Sequence, residues 1–181
     1  MDGHFTGYAS VFGVPDLGRD VVVPGAFAAS LARRGAAGVR LLFQHDPAEP
    51  IGRWLSLRED TRGLFAEGQL NLAVQRAREI DALMRGGALD GLSIGFRTLL
   101  ARRGLGGERR LQQVDLWEIS LVTFPLQPGA RASPSARPSS GAAEIRGLAR
   151  RIAPFRPREP AVRPRPGVRL RSATRSHEVI R

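Results

Sequence analysis

The sequence contains no cysteine and no lysine, and its 181 residues include one tyrosine and two tryptophans. The absence of cysteine excludes disulfide frameworks, thiolate metal sites and thiol nucleophiles. No apolar run approaches the roughly 18 residues that a membrane-spanning helix requires. The first ten residues lack the basic and apolar regions of a secretory signal, so we expect a soluble, intracellular protein with no membrane partner.

All 28 basic residues are arginines, and their distribution divides the chain into two parts. Residues 1–128 carry 15 Arg against 14 Asp and Glu, whereas residues 129–181 carry 13 Arg against 3 Glu. Seven of the 13 prolines also follow position 128, and proline at this density disfavours a compact core. We therefore predict a folded domain at 1–128 and a largely disordered tail at 129–181, with a short basic amphipathic segment at 143–153.

The pattern of apolar residues in the predicted domain is mainly that of β-strands. Two helices are predicted, at 24–35 and at 72–87, the second with Asn71 as its N-cap. The strands are predicted over 5–13, 20–25, 39–46, 51–60, 63–72, 93–102 and 110–124. This set of predicted strands and helices indicates an α+β or mainly-β fold, a small closed barrel of about six or seven strands with flanking helices.

The segment GLSIG around Ser93 matches the G-x-S-x-G pattern of the nucleophile elbow in α/β-hydrolases. That elbow needs a strand before the serine and a helix after it, and here the predicted order is the reverse. In α/β-hydrolases the histidine also follows the serine, but here the one later histidine is His177, in the predicted tail. The α/β-hydrolase interpretation is therefore excluded, although Ser93 remains a candidate nucleophile.

A serine nucleophile needs a base, and His45 is the candidate. His45 lies at the end of a predicted strand inside the domain, whereas His4 and His177 lie near the termini, where fraying is expected. The adjacent Asp46 is a poor partner for the ring, because neighbouring residues of a strand point to opposite faces.

Two carboxylates could complete such a site. Glu118 interrupts an apolar run from Leu116 to Phe124, and burying a carboxylate costs several kcal/mol unless it is paired. Periodicity alone is equally consistent with a solvent-facing Glu118 that alternates along the strand with Ser120. Asp115 is the other candidate, and both remain open at this point.

Four collinear segments resemble the prohead (procapsid maturation) proteases of tailed phages, of the HK97 type. They are GYASVFGVPDLGRDVVVPGAF, FQHDPAEPIGRW, LDGLSIGFR and WEISLVTFP. The resemblance covers about residues 5–130. It implies a fold similar to that of the herpesvirus assemblin proteases, which are β-barrels wrapped by helices.

The resemblance implies a serine endopeptidase with Ser93 as nucleophile, His45 as general base and Glu118 as the third member. We expect no cofactor and no metal. The implied substrates are the scaffolding segment of the major capsid protein and the protease itself, with self-association inside a procapsid in the cytoplasm of the bacterial host. We expect the basic tail to dock on acidic scaffold or capsid surfaces.

Three further features bear on the site. The segment PLQPGARAS (125–133) departs from the pattern of the family, although it is a candidate source of backbone N–H groups for an oxyanion. Gly91 and Gly95 allow close approach of a peptide backbone to the nucleophile. Arg97 either binds a substrate carboxylate or forms a surface ion pair.

The competing interpretation is a non-enzymatic capsid-assembly or scaffolding protein. Its basic tail would bind acidic partners, or nucleic acid through phosphate neutralisation. Phe155 is the one aromatic residue after position 128, so base stacking is not supported and nucleic acid is the less favoured partner.

Overall fold

The computed structural model of the chain describes residues 2–135. The predicted segment at 143–153, His177 and the rest of the tail from residue 136 lie outside the described residues. The described part contains eight strands, two α-helices and a short 3-10 helix at Ala36–Gly38. In chain order the strands and α-helices are β1 (His4–Val11), β2 (Asp20–Val22), α1 (Ala28–Arg34), β3 (Arg40–Phe43), β4 (Asp46–Glu59), β5 (Gly63–Leu70), α2 (Gln75–Arg85), β6 (Gly91–Arg103), β7 (Arg109–Val122) and β8 (Ala132–Pro134).

All eight strands belong to one curled sheet, with β7 as its most connected member. On one edge β7 pairs with β6 along its whole length, in an antiparallel arrangement. On the other edge it pairs in parallel with β2 near its start and with β3 near its end. The sheet continues from β3 through β4, β5 and β1 to β8.

The two ends of the sheet meet where β6 begins. Leu92 N donates to Ala130 O at 3.0 Å, and Ala132 N donates to Asp90 O at 2.8 Å, which joins the start of β6 to the segment that contains β8. The predicted mainly-β barrel is therefore confirmed. The structure has one strand more than the seven segments predicted, because β8 has three residues and lies beyond the predicted domain boundary.

The folded region extends beyond residue 128, where we predicted the tail to begin. Ala130 and Ala132 are buried, and β8 pairs with β1. The barrel needs this segment because it fills the space between β1 and β6, so the seven residues from 129 to 135 belong to the fold rather than to a tail.

The barrel interior is filled by alternate residues of its strands, as Leu64 and Ala66 of β5 illustrate. Phe5 and Trp54 meet edge to face with ring centroids 5.6 Å apart. They pack over Gly68, where a Cβ would lie 2.6 Å from Phe5 Cζ. Burying side chains of this size contributes roughly 1.5–3 kcal/mol each to folding, so this core holds the sheet in its curled form.

Helix α1 occupies the middle of the β7 edge that β2 and β3 leave unpaired. Val114 N donates to Ala26 O at 3.0 Å, and Leu116 N donates to Ser30 Oγ at 2.9 Å. Backbone groups that would otherwise be buried without partners are thus satisfied by the helix and the residues before it. This arrangement places α1 against the edge of β7 that is opposite β6.

Both predicted helices are present, and both are shorter than predicted. Asn71 is not the N-cap of α2, because Val74 occupies that position. Instead Asn71 Oδ1 accepts a hydrogen bond from Ala73 N at 3.2 Å, which makes a turn before the helix. Within residues 2–135, neither helix has the length and apolar character needed to cross a membrane.

Candidate active site

His45 lies in the two-residue turn that joins β3 to β4. We predicted a strand over 39–46, but β3 ends at Phe43, and Gln44 and His45 have φ angles of 53° and 61°. This left-handed conformation is uncommon for residues other than glycine and asparagine. Two bonds from β7 hold it: Gln44 N donates to Leu121 O, and His45 N donates to Ser120 Oγ, each at 3.0 Å.

Glu118 contacts the His45 ring directly. Its Oε1 lies 2.6 Å from His45 Nδ1, and its Oε2 accepts a hydrogen bond from Ser120 Oγ at 2.7 Å. The Glu118 side chain is 13% exposed, so it is covered and paired rather than turned freely to solvent. An ionised carboxylate accepts hydrogen bonds only, so Nδ1 carries the ring hydrogen and Nε2 the lone pair.

The hydrogen bond from Glu118 raises the pKa of His45 above its ordinary value, and the negative charge of the carboxylate adds to this rise. Partial burial of the ring acts in the opposite direction and does not cancel it. His45 is therefore a stronger base than a free imidazole, as a proton acceptor in catalysis should be.

Ser93 lies on the same face of the sheet as this pair. In the antiparallel pairing of β6 and β7, Ser93 is opposite Ser120 and Gly95 is opposite Glu118. Residues directly opposite one another point to the same side, here the side away from the barrel core. Ser93 is 9% exposed, and its Oγ makes no hydrogen bond to any residue within 2–135, including His45.

Ser120 connects these groups, and the sequence interpretation assigned it no role. It accepts from the His45 backbone, donates to Glu118 and lies across the ladder from Ser93. The signal that could have revealed it is its spacing, because residues two apart on a strand share a face. A serine two positions after a buried glutamate is therefore well placed to orient that carboxylate.

Gly95 leaves the space that the Glu118 carboxylate occupies. A Cβ at position 95 would lie 2.0 Å from Glu118 Oε1 and 2.7 Å from its Cδ. We attributed both glycines of the GLSIG segment to the approach of a substrate backbone, but here the described contacts are internal. A Cβ at Gly91 would likewise lie 2.5 Å from Val122 O and 2.8 Å from Pro125 Cδ.

Asp115, the other carboxylate candidate, binds α1 instead of His45. Arg34 Nε and Nη2 donate to it at 3.0 and 3.1 Å, Trp117 Nε1 donates at 2.9 Å, and Arg33 also contacts it. The hydrogen bonds from Arg34 and then Trp117 hold the pKa of Asp115 far below its usual range. Asp115 is thus an anchor between the helix and β7.

We expected fraying at His4, but this residue lies in the interior of the fold. It belongs to β1, which pairs with β5 on one side and β8 on the other, and it is 2% exposed. Its Nδ1 lies 2.7 Å from Ser135 Oγ and its Nε2 lies 2.9 Å from Glu67 Oε1. Both ring nitrogens are therefore occupied.

Comparison with known proteins assigns the chain to a family. A sequence profile of the caudovirus prohead serine proteases matches residues 1–143. The chain belongs to this family. The prohead protease of Enterobacteria phage HK97 is 38% identical over 126 residues, which are 68% of this chain and 56% of that protein. The prohead protease of Escherichia phage T5 is 34% identical over 86 residues, 47% of this chain and 40% of that protein.

The chain therefore spans about half the length of the phage relatives that it matches. Among solved structures, the KSHV protease in complex with a hexapeptide phosphonate inhibitor aligns with a TM-score of 0.53. The identity is 14%, over 84% of this chain and 77% of that one, so this likeness shows the fold alone. The expected similarity in fold to the herpesvirus proteases is confirmed.

In this member of the prohead protease family, the segment after β7 borders Ser93. Leu126 and Gln127 line a small cavity together with Ser93 and Phe96. Gln127 fixes the segment to β1, since its Nε2 donates to Val11 O at 2.9 Å and its Oε1 accepts from Val11 N at 2.6 Å. The segment that departs from the family pattern is therefore bonded to β1 at a position beside Ser93.

The chemistry available at this prohead-family site is acid–base and nucleophilic. A hydroxyl, an imidazole with a free nitrogen and a carboxylate that orients the imidazole are the groups that acyl transfer uses. Within residues 2–135, no group of three His, Asp or Glu side chains is arranged to hold a metal ion.

Proposed function

We propose that this chain is a serine endopeptidase of procapsid maturation, with Ser93 as nucleophile, His45 as general base and Glu118 as the third member of a triad. The observation that carries the proposal is the 2.6 Å contact of His45 Nδ1 with Glu118, on the face of the sheet to which Ser93 points. Membership of the prohead serine protease family supports the same roles.

The proposed reaction proceeds through an acyl-enzyme. Ser93 Oγ attacks the scissile carbonyl while its proton moves to His45 Nε2, and Glu118 stabilises the resulting imidazolium. The imidazolium then gives the proton to the leaving amine as the peptide C–N bond breaks. A water molecule, deprotonated by the same nitrogen, hydrolyses the ester and restores Ser93.

The direct Ser93–His45 hydrogen bond that this reaction requires forms only when substrate is bound. Such bonds are often long in the free state of an enzyme and shorten in the substrate complex. Backbone N–H groups of the 125–131 segment are the proposed oxyanion donors, because Leu126 and Gln127 already border the cavity beside Ser93.

The substrate is proposed to lie along β6 as an added strand. Beyond Leu92, no backbone hydrogen bond joins the outer edge of β6 to another strand within residues 2–135. An extended peptide can pair with such an edge and bring its scissile bond to Ser93. The proposed substrates are the scaffolding segment of the major capsid protein and the protease chain itself, within the procapsid.

The experiment that tests the proposal is Ser93→Ala in the full chain, produced together with the capsid protein. We expect assembly with an uncut capsid protein and an uncut tail, and a loss of cleavage of at least about a thousandfold. Mass spectrometry of the capsid protein N-terminus measures this, with Ser135→Ala as the matched serine control. Cleavage that persists in Ser93→Ala would show that Ser93 is not the nucleophile, and an uncut capsid protein with the wild-type chain would favour the scaffolding function.

A further inference from the structure

An excess of positive charge lies on the outer face of the β6–β7 hairpin, in a domain that is otherwise almost neutral. Arg33, Arg34 and Arg97 all direct their guanidinium groups at Asp115, and we call these four residues the arginine cluster. Within residues 2–135 the cluster therefore carries two more positive charges than negative ones. The side chains of Arg33 and Arg97 are 54% and 64% exposed, whereas Asp115 is 6% exposed.

Arg97 is the least engaged member of the arginine cluster. Its Nη2 lies 3.7 Å from Asp115 Oδ2, beyond hydrogen-bond distance, and it makes no hydrogen bond within the described residues. The acceptors of Asp115 are already taken by Arg34, Trp117 and Arg33. The five N–H donors of Arg97 are consequently available to another carboxylate.

The arginine cluster and the candidate catalytic groups share one face of the hairpin. Arg97 is opposite Asp115 in the ladder, and Gly95 is opposite Glu118. From the first of these pairs to the second, β6 advances by two residues and β7 by three, so β7 has a bulge at Trp117. The bulge keeps Asp115 on the same face as Glu118. Without this extra residue, alternation would turn Asp115 towards the core.

The distance between Arg97 and the proposed nucleophile Ser93 follows from their positions on β6. Arg97 follows Ser93 by four residues on β6, which corresponds to roughly 13 Å at the rise of an extended strand. A peptide added in extended form to the free edge of β6 has the same rise. The residue that lies beside Arg97 is then about four positions from the scissile bond.

We propose that Arg97, together with Arg33, is a specificity-determining site that binds an acidic side chain of the polypeptide substrate about four residues from the scissile bond. This inference rests on the proposed function. A carboxylate is favoured as occupant over a nucleic-acid phosphate because Arg33 already binds a carboxylate, that of Asp115, and because the adjoining edge of β6 suits an extended peptide.

The test uses the full chain and peptides that span its cleavage site in the capsid protein, identified by mass spectrometry. Glu, Gln or Lys is placed in turn at the third to fifth positions on each side of the scissile bond, and kcat/KM is measured. We expect the wild type to prefer Glu over Gln by about two- to fivefold at one of these positions, because an exposed ion pair contributes modestly. The preference should weaken as salt is added.

Variants at position 97 separate a specificity role from a structural one. Arg97→Gln should abolish the ratio of kcat/KM between the Glu and Gln peptides, and Arg97→Glu should reverse it in favour of the Lys peptide. Arg53→Gln is the matched control, since Arg53 is an exposed arginine on β4 whose contact with Gln69 is a long 3.5 Å hydrogen bond. In that variant the Glu preference should persist.

Two results would overturn the inference. One is equal cleavage of the Glu, Gln and Lys peptides by the wild type at every position tested. The other is a Glu preference that survives in Arg97→Glu. If equal cleavage is accompanied by binding of a DNA oligonucleotide that Arg97→Glu abolishes, the arginine cluster is a nucleic-acid site instead. Failure of the wild type to cleave any peptide would contradict the proposed function itself.

Discussion

Two histidines of this domain each lie beside a glutamate and a serine, but their surroundings differ. His45 is bonded to Glu118, and its backbone N–H is bonded to Ser120. His4 is bonded to Glu67 through one ring nitrogen and to Ser135 through the other. The side chain of His45 is 43% exposed, whereas that of His4 is 1% exposed.

The comparison shows that proximity of serine, histidine and glutamate does not make an active site. A general base needs a free nitrogen that faces a reachable hydroxyl, and His4 has none because both of its nitrogens are occupied. His4 lies within a strand that is paired on both sides, whereas His45 lies in a turn at the surface. The backbone position, more than the set of neighbours, separates the structural cluster from the candidate catalytic one.

Replacing each histidine in turn with alanine should give the largest difference between the two sites, in cleavage activity for His45 and in stability for His4. We expect His45→Ala to lower kcat/KM by about a thousandfold or more while changing the free energy of unfolding by no more than about 1 kcal/mol. His4→Ala should lower the free energy of unfolding by about 2–4 kcal/mol, because it opens a cavity and leaves buried polar groups unpaired.

Urea unfolding and peptide cleavage, both measured at a temperature where each variant is folded, provide the comparison. His4→Ala should cleave at close to the wild-type rate. A folded His4→Ala protein that has lost cleavage would contradict the structural role of His4, and an active His45→Ala protein would contradict the catalytic role of His45.

Gly95→Ala should disturb the contact between Glu118 and His45 and leave the surroundings of His4 unchanged. Because a Cβ at this position would lie 2.0 Å from Glu118 Oε1, the carboxylate must move away from the ring. We expect kcat/KM to fall by about 10- to 100-fold, the effect of a displacement of about 1 Å among catalytic groups. Steady-state kinetics with the capsid-derived peptide measure this loss.

Gly86→Ala is the matched control for this substitution. A Cβ at position 86, at the end of α2, would lie 3.3 Å from Ala82 O, which requires a small adjustment far from Ser93. Its kcat/KM should stay within about twofold of the wild type. Unchanged activity in Gly95→Ala would mean that the carboxylate does not need to contact the ring.

The pH dependence gives the smallest and most specific test. Because Glu118 raises the pKa of His45 and the neutral ring is the proposed base, kcat/KM should rise with pH through an inflection above the ordinary value of about 6.5. In Glu118→Gln the negative charge is gone, so the inflection should move down towards 6.5. An inflection at the same pH in both proteins would contradict the assigned pairing.

Stability should change with pH in the opposite sense. A histidine pKa that is raised in the folded state stabilises the fold fully below the unfolded pKa of about 6.5, and this stabilisation is lost as pH rises through the folded pKa. The difference in the free energy of unfolding between the wild type and Glu118→Gln should therefore be largest in mild acid. It should decrease as the pH increases past the folded pKa of His45.

Much of the candidate site could be anticipated from the sequence. Ser93, His45 and Glu118 were candidates on chemistry, on their positions in predicted strands and on a family resemblance. Periodicity could not choose between Glu118 and Asp115, because a bulge at Trp117 puts both on the same face. The expectation of fraying at His4 was wrong for another reason, because closeness to a chain end does not reveal whether that end pairs with other strands.

The amino-acid sequence by itself determined the two helices and seven of the eight strands to within about five residues, and the mainly-β class. Local propensity and alternation are properties of short stretches, so they can be read along the chain. The tertiary structure decided the contact between His45 and Glu118 across 73 residues, the closure of the barrel by β8 and the purpose of Gly95. These depend on which strands lie side by side and in which register, and alternation gives the face of a residue but not its neighbour.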